Sequence, residues 1–198
     1  MKGVVFREFF NYIEVQHGDE MLDDVIVASD LPHGGAYTSV GTYPFEEMLS
    51  LVHSYTAASA RSEGCVFAGF GEHCFLNWLS FLPEFFSPAR HLFDILEQVN
   101  DFHEREVRKL YPDAELPTFT TESRGEHDMV VGYHSEKQLR DFAVGVIHGA
   151  AIHLRVAIEV STEDAEDAAG PYTRIRIRMA APAACPERAA LCPVMPPI

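Results

Sequence analysis

From Tyr172 to Arg178 the chain reads Tyr-Thr-Arg-Ile-Arg-Ile-Arg, so apolar and basic side chains alternate. Successive side chains of a strand point to opposite faces, so this run can bury only one of them. It therefore predicts an antiparallel sheet that packs on one side and meets water on the other. VAIEVS forms a hairpin with it across the acidic turn EDAEDAAGP, and PTFTTES with HDMVVGYH forms a second hairpin.

The N-terminal half has a different period. Val5, Phe6, Phe9, Phe10 and Ile13 make a helical stripe over residues 3–16, with Gly18 as its stop and a short helix following to Ala28. Ser29 to Pro44, rich in glycine, proline and hydroxyls, predicts a long loop before a helix from Phe45 to Ala60. Ser62 to Leu82 predicts a helix buried on several faces and ended by Pro83. Ser87 and Pro88 open another that runs to Leu110, where Tyr111-Pro112 stops it. Glu136 to Leu154 predicts a last helix. The expected fold class is α+β: a helical N-terminal subdomain (about 1–60) packed on a C-terminal subdomain (about 61–180) with a four-stranded antiparallel sheet and helices. Residues 181–198 form a flexible proline-rich tail.

With 198 residues, 47% of them hydrophobic, the chain can bury the core of one domain. A net charge of −15 repels phosphate backbones and argues against nucleic acid as a partner. No apolar run is long enough to span a bilayer, and Arg7 and Glu8 interrupt any leader, so no membrane insertion and a cytoplasmic location are expected. Cys65, Cys74, Cys185 and Cys192 are too sparse for a disulfide scaffold and show no zinc-finger spacing, so reduced thiols are expected.

Leu92, Leu96, Val99, His103, Val107 and Leu110 share one helical stripe, which turns His103 inward. A lone inward histidine is often only a hydrogen-bonded core residue. Neutral imidazole is also an axial ligand of haem iron, for which an apolar crevice between two subdomains is a suitable pocket. Haem carries two propionates. Tyr133, Ser135 and Lys137 offer a phenol, a hydroxyl and an ammonium at a strand-to-helix junction. Ser135 with Gln138 also fits a capping box, and both readings stay open at this point.

MKG before an aromatic helix, then FGE, FLP, VNDFHEREV, KLYPDAELP and YHSEK, stand in the order seen in haem nitric-oxide-binding (H-NOX) domains, which the chain resembles from Met1 to about Arg178. The resemblance implies haem b (iron protoporphyrin IX), with His103 as its axial ligand. It also implies that Tyr133 and Ser135 are the first two members of a Tyr-x-Ser-x-Arg propionate clamp, and that Pro117 and Val5 lie against the ring. Lys137 departs from the pattern, since an ammonium cannot reproduce the planar fork of arginine.

The distal positions implied by the resemblance are Phe9, Cys74 and Phe142, where oxygen-binding members carry a tyrosine and two polar partners; Phe75 and Trp78 also match distal-side positions. Without a strong donor, stable oxygen binding is not expected, whereas nitric oxide bonds ferrous iron without one. No cysteine comes directly after the clamp, so no zinc site of the kind found in some members is expected.

The function implied is a nitric oxide sensor, not an enzyme. It would signal in trans to a histidine kinase, as in two-component signalling, or to a cyclic-di-GMP enzyme, since no output segment is attached to the domain. A haem-free module that binds an apolar ligand or only a protein is the alternative, and a haem enzyme such as a peroxidase lacks an evident distal acid or base.

Overall fold

The computed structural model describes residues 1–81 and 91–180. The expected stop at Pro83, the helix start at Ser87-Pro88 and the tail from 181 lie outside the described residues.

Four helices come first: α1 (Gly3–His17), α2 (Asp19–Ala28), α3 (Phe45–Ser59) and α4 (Glu63–Phe81). Gly18, at φ 85°, separates α1 from α2, a conformation that glycine adopts at little steric cost. Asp19 and Glu20 open α2, and Glu46 and Glu47 open α3, where carboxylates complement the helix dipole. After α5 (Leu92–Glu97) and α6 (Val99–Phe102) the chain widens into a π-helical turn, His103–Val107, and closes with α7 (Arg108–Leu110). β1 (Thr118–Arg124), β2 (Asp128–His134), α8 (Arg140–Leu154), β3 (Ile158–Asp167) and β4 (Gly170–Met179) complete the described chain.

The strands form one antiparallel sheet in the order β1-β2-β4-β3, so the fold is the α+β arrangement expected from the sequence. Met129, Val131, Tyr133, Ile175 and Ile177 point inward and build a core with Leu92, Phe93, Ala143 and Ile147. Of their outward neighbours, Asp128, Arg176 and Arg178 are exposed and Arg174 is partly so. Arg174 reaches Glu122 at 2.6 Å and Glu163 at 2.8 Å, which accounts for the basic half of the alternation.

A second core in the N-terminal half holds Phe6, Phe9, Tyr12, Ile13, Leu51, Tyr55, Phe70 and Cys74. Helix α4 belongs to both cores: Phe70 and Cys74 enter the first, Phe75 the second, and Trp78 packs against both. Its contact with α8 is close because Gly71 and Gly145 lack side chains. A Cβ at either position would stand about 2 Å from the carbonyl oxygen of Phe142 or Ala68 respectively.

Several expectations are corrected. The helix expected to run unbroken to Leu110 is segmented from Leu92 onward, and the π turn inserts a residue that rotates the last helical turn. Leu110 therefore leaves the apolar stripe and is 73% exposed. The last helix starts at Arg140 rather than Glu136, because Gln138 sits at φ 48° and bonds back to the Ser135 carbonyl in a turn. Ser135 is thus not its N-cap. The acidic turn shrinks to Ala168 and Ala169, the residues before it being part of β3. Cys74 is a buried free thiol, whereas Cys65, in the first turn of α4, is disulfide-bonded. None of the described helices is long and apolar enough to cross a membrane.

Candidate functional site

His103 is the first residue of the π turn and is half-buried. Its Nδ1 lies 3.2 Å from the carbonyl oxygen of Pro117. A carbonyl can only accept, so Nδ1 carries the proton and the Nε2 lone pair is left for another partner. Burial pulls the imidazole below its ordinary pKa, the bond to Pro117 opposing, so the ring is neutral near pH 7. Phe102 and Phe119 flank it, with ring centres 6.3 and 6.5 Å away.

Asn100, one helical turn before His103, is a residue that sequence reasoning misses. It donates from Nδ2 to the Phe119 carbonyl at 2.6 Å and accepts from the Phe119 amide at 3.0 Å. Helix and strand are therefore joined at Pro117 and at Phe119. The Phe119 ring then stands 5.3 Å from that of Tyr133.

Tyr133 lies on the inner face of β2 and is 4% exposed. Burial pushes its phenol pKa up, while hydrogen bonds with the Ser135 side chain and the Leu139 backbone oppose the shift. Lys137, whose side chain is mostly covered, forms an ion pair with Glu115. The ammonium of Met1, which donates to the Tyr43 carbonyl at 2.7 Å, is close enough to feel both charges. Ser135, Lys137, Glu115, Thr118 and Arg108 line one surface groove. His134, between Tyr133 and Ser135, lines the same groove and stacks on Tyr172 at 4.7 Å.

The remaining candidates gather in the first core. Phe9 touches Phe70 at 5.1 Å between ring centres, and Phe70 touches Phe142 at 5.2 Å. Cys74 is fully buried, and desolvation raises its thiol pKa, so it is protonated. Val5, Trp78 and Phe142 pack around that core. Phe75 instead belongs to the core that contains Tyr133. A polar cluster flanks this region: His73 lies 2.9 Å from Asn11, and Asn77 bonds Glu8 at 3.0 Å. Glu8 and His73 directly adjoin Phe9 and Cys74 in the chain and project about 100° away from them, whereas Asn77 lies one helical turn from Cys74.

The structure thus links His103, Pro117, Tyr133 and Ser135 through Phe119, and brings Phe9 and Phe142 against Phe70 in the core that contains Cys74 and against which Val5 packs. A neutral imidazole with one free nitrogen, held in aromatic surroundings, is suited to bind a metal-bearing planar cofactor. The neighbouring phenol, hydroxyl and ammonium are suited to carboxylates.

The family profile described as Haem-NO-binding matches residues 2–162. Among solved structures, the ferrous unliganded H-NOX protein from K. algicida is similar with a TM-score of 0.81 and 30% identity, covering 92% of this chain and 98% of that one. The H-NOX protein from S. oneidensis in the Fe(II)NO state gives 0.80 and 21%, covering 91% and 100%. An oxygen-binding H-NOX domain related to soluble guanylate cyclases, in its oxygen complex, gives 0.76 and 16%, covering 92% and 96%. No curated protein matches the chain.

Proposed function

We propose, from the premise that the chain belongs to the haem-NO-binding (H-NOX) family of haem-based gas sensors, that it binds haem b through His103 and senses nitric oxide rather than oxygen. The observation that carries this reading is the bond from His103 Nδ1 to the Pro117 carbonyl. It leaves Nε2 as the lone-pair nitrogen and increases its basicity, as the outer partner of a metal-bound histidine does.

The donors present fit the cofactor. Tyr133 and Ser135 supply hydroxyls and Lys137 supplies positive charge for the propionates, while Pro117 and Val5 supply apolar surface to the ring. Bound haem contributes a ferrous iron able to bond small gases.

Selectivity arises from what the distal residues lack. Bound oxygen is polar and gains from a hydrogen bond, and Phe9 and Phe142 carry no donor while the Cys74 thiol is a weak one. Nitric oxide bonds ferrous iron without such a donor. Were the iron to release His103, the imidazole would keep its proton on Nδ1, hydrogen-bonded to the Pro117 carbonyl, and the helix that carries it would be free to change position for a separate partner to read. The resemblance nominates a histidine kinase or a cyclic-di-GMP enzyme as that partner. The structural neighbours include both an oxygen complex and an Fe(II)NO state, so selectivity rests on the side chains and not on the fold.

One observation favours the alternative of a haem-free module: Lys137 is already paired with Glu115 and must share its charge with a propionate. The test is the visible spectrum of haem-supplemented, dithionite-reduced protein without air, then with nitric oxide and, separately, with oxygen. A Soret band that shifts with nitric oxide and not with oxygen is expected. A shift with oxygen overturns the selectivity, and absence of any Soret band overturns haem binding.

A further inference from the structure

We infer that Asn100 is a positioning residue for His103, fixing the imidazole's tautomer and its basicity toward iron by pinning the strand segment that accepts the imidazole proton. The inference deepens the proposed haem reading and rests on it for the part that concerns iron.

Three hydrogen bonds join the His103 helix to residues 117–119. His103 Nδ1 meets the Pro117 carbonyl at 3.2 Å, Asn100 Nδ2 meets the Phe119 carbonyl at 2.6 Å, and the Phe119 amide meets Asn100 Oδ1 at 3.0 Å. The two Asn100 bonds are the shorter, and they engage both polar groups of one peptide residue. A backbone N–H can only donate and a carbonyl can only accept, so this pairing also sets which way the Asn100 amide points. Asn100 acts here as a strand edge would, supplying one donor and one acceptor to Phe119 at the start of β1.

The consequence reaches His103 through covalent geometry. Residues 117 and 119 are two apart in the chain, so fixing the Phe119 peptide limits where the Pro117 carbonyl can lie. That carbonyl is the partner that keeps the proton on Nδ1. Without the anchor it can swing away from the imidazole, and the hydrogen bond, already the longest of the three, weakens first. The proton then distributes over both ring nitrogens, and Nε2 becomes a poorer donor to a metal. The π turn adds to the need for an anchor: its wider backbone ring is the less regular form of helix, and His103 opens it.

The test uses the full chain, parent and Asn100→Ala, with histidine nitrogens labelled, in two readouts. Nitrogen NMR of the haem-free protein reports the His103 tautomer, and resonance Raman of the reduced haem-loaded protein reports the iron–histidine stretch. The parent should show a single Nδ1-protonated ring, and Asn100→Ala a tautomer mixture with the stretch moved to lower frequency. Asn100→Asp keeps the bond from the Phe119 amide and places a carboxylate against the Phe119 carbonyl. It should lie between the two, and it decides the matter if the alanine variant does not fold. An unchanged tautomer and stretch in a folded variant overturns the inference. A parent with the expected tautomer but no iron–histidine stretch, even with haem bound, would instead overturn the haem reading while leaving the positioning role to be decided by the NMR result.

Discussion

The carbonyl oxygen of Pro117 and the imidazole Nδ1 of His103 stand 3.2 Å apart, joining the segment that leads into β1 to the helix that carries the histidine. Proline has no N–H, but its carbonyl is an ordinary acceptor, and its fixed φ limits where that acceptor can point. The pair makes the tautomer of His103 a property of the backbone.

Lys137 sets how firmly a dicarboxylate cofactor is held. Its ammonium is a point charge engaged with Glu115, and a guanidinium could serve Glu115 and a propionate together. Lys137→Arg should slow haem loss to apomyoglobin by about fivefold, the equivalent of ~1 kcal/mol, and Lys137→Ala should speed it by a similar factor. Equal rates for all three proteins would remove Lys137 from the clamp.

Glu47 anchors the long loop between α2 and α3. It is 4% exposed, accepts from the Tyr37 hydroxyl at 2.7 Å and meets His33 Nδ1 at 2.9 Å. Tyr37 in turn stacks on Phe6 at 4.2 Å, in the core that contains Phe9. Glu47→Ala leaves the buried Tyr37 hydroxyl without its acceptor and should cost about 1–3 kcal/mol of stability. Urea unfolding measures this, and faster hydrogen exchange in residues 31–43 should accompany it. A change smaller than about 0.5 kcal/mol would mean that the loop is held by its aromatic contacts alone.

The pH dependence of stability has a definite sign. Burial is the largest cause lowering the pKa of His17, His73, His103 and His148 from 6.5. Their contribution is fully present above the unfolded value and is lost as pH falls toward the lowered folded values, because the unfolded chain then binds more protons. Lys2, Lys137 and Arg174 hold Asp113, Glu115 and Glu163 below the usual carboxylate range, so those contributions disappear only at more acidic pH. The urea midpoint of the haem-free protein should therefore fall between about pH 7.5 and 5.5, and His148→Leu should reduce that fall. A midpoint that rises on acidification would contradict the assignment.

Much of this architecture is legible in the sequence because it rests on local periodicity. The alternation from Tyr172 to Arg178 identifies a half-wet sheet, and the stripe from Val5 to Ile13 identifies α1. Features that depend on partners distant in the chain are not legible in this way. The π turn leaves no periodic mark, so the stripe extrapolates to Leu110, which the extra residue turns outward. Ser135 and Gln138 have the composition of a capping box, yet the positive φ of Gln138 makes them a turn. Asn100 carries no local signal, since its role is set by Phe119, nineteen residues later. The same holds for Glu47, whose partners Tyr37 and His33 lie in the preceding loop. His103, Tyr133 and Ser135 stand out by motif order and spacing; the bond to Pro117 that sets the tautomer does not.

The central claim is that His103 is the iron ligand, and the most direct test is the spectrum of reduced, haem-supplemented His103→Ala protein beside the parent, with and without added imidazole. The account predicts that the variant loses haem or shows a shifted Soret band, that imidazole restores the parent spectrum, and that nitric oxide then gives the same final spectrum in both. A variant with the parent spectrum in the absence of imidazole would show that another residue holds the iron, and would contradict the account.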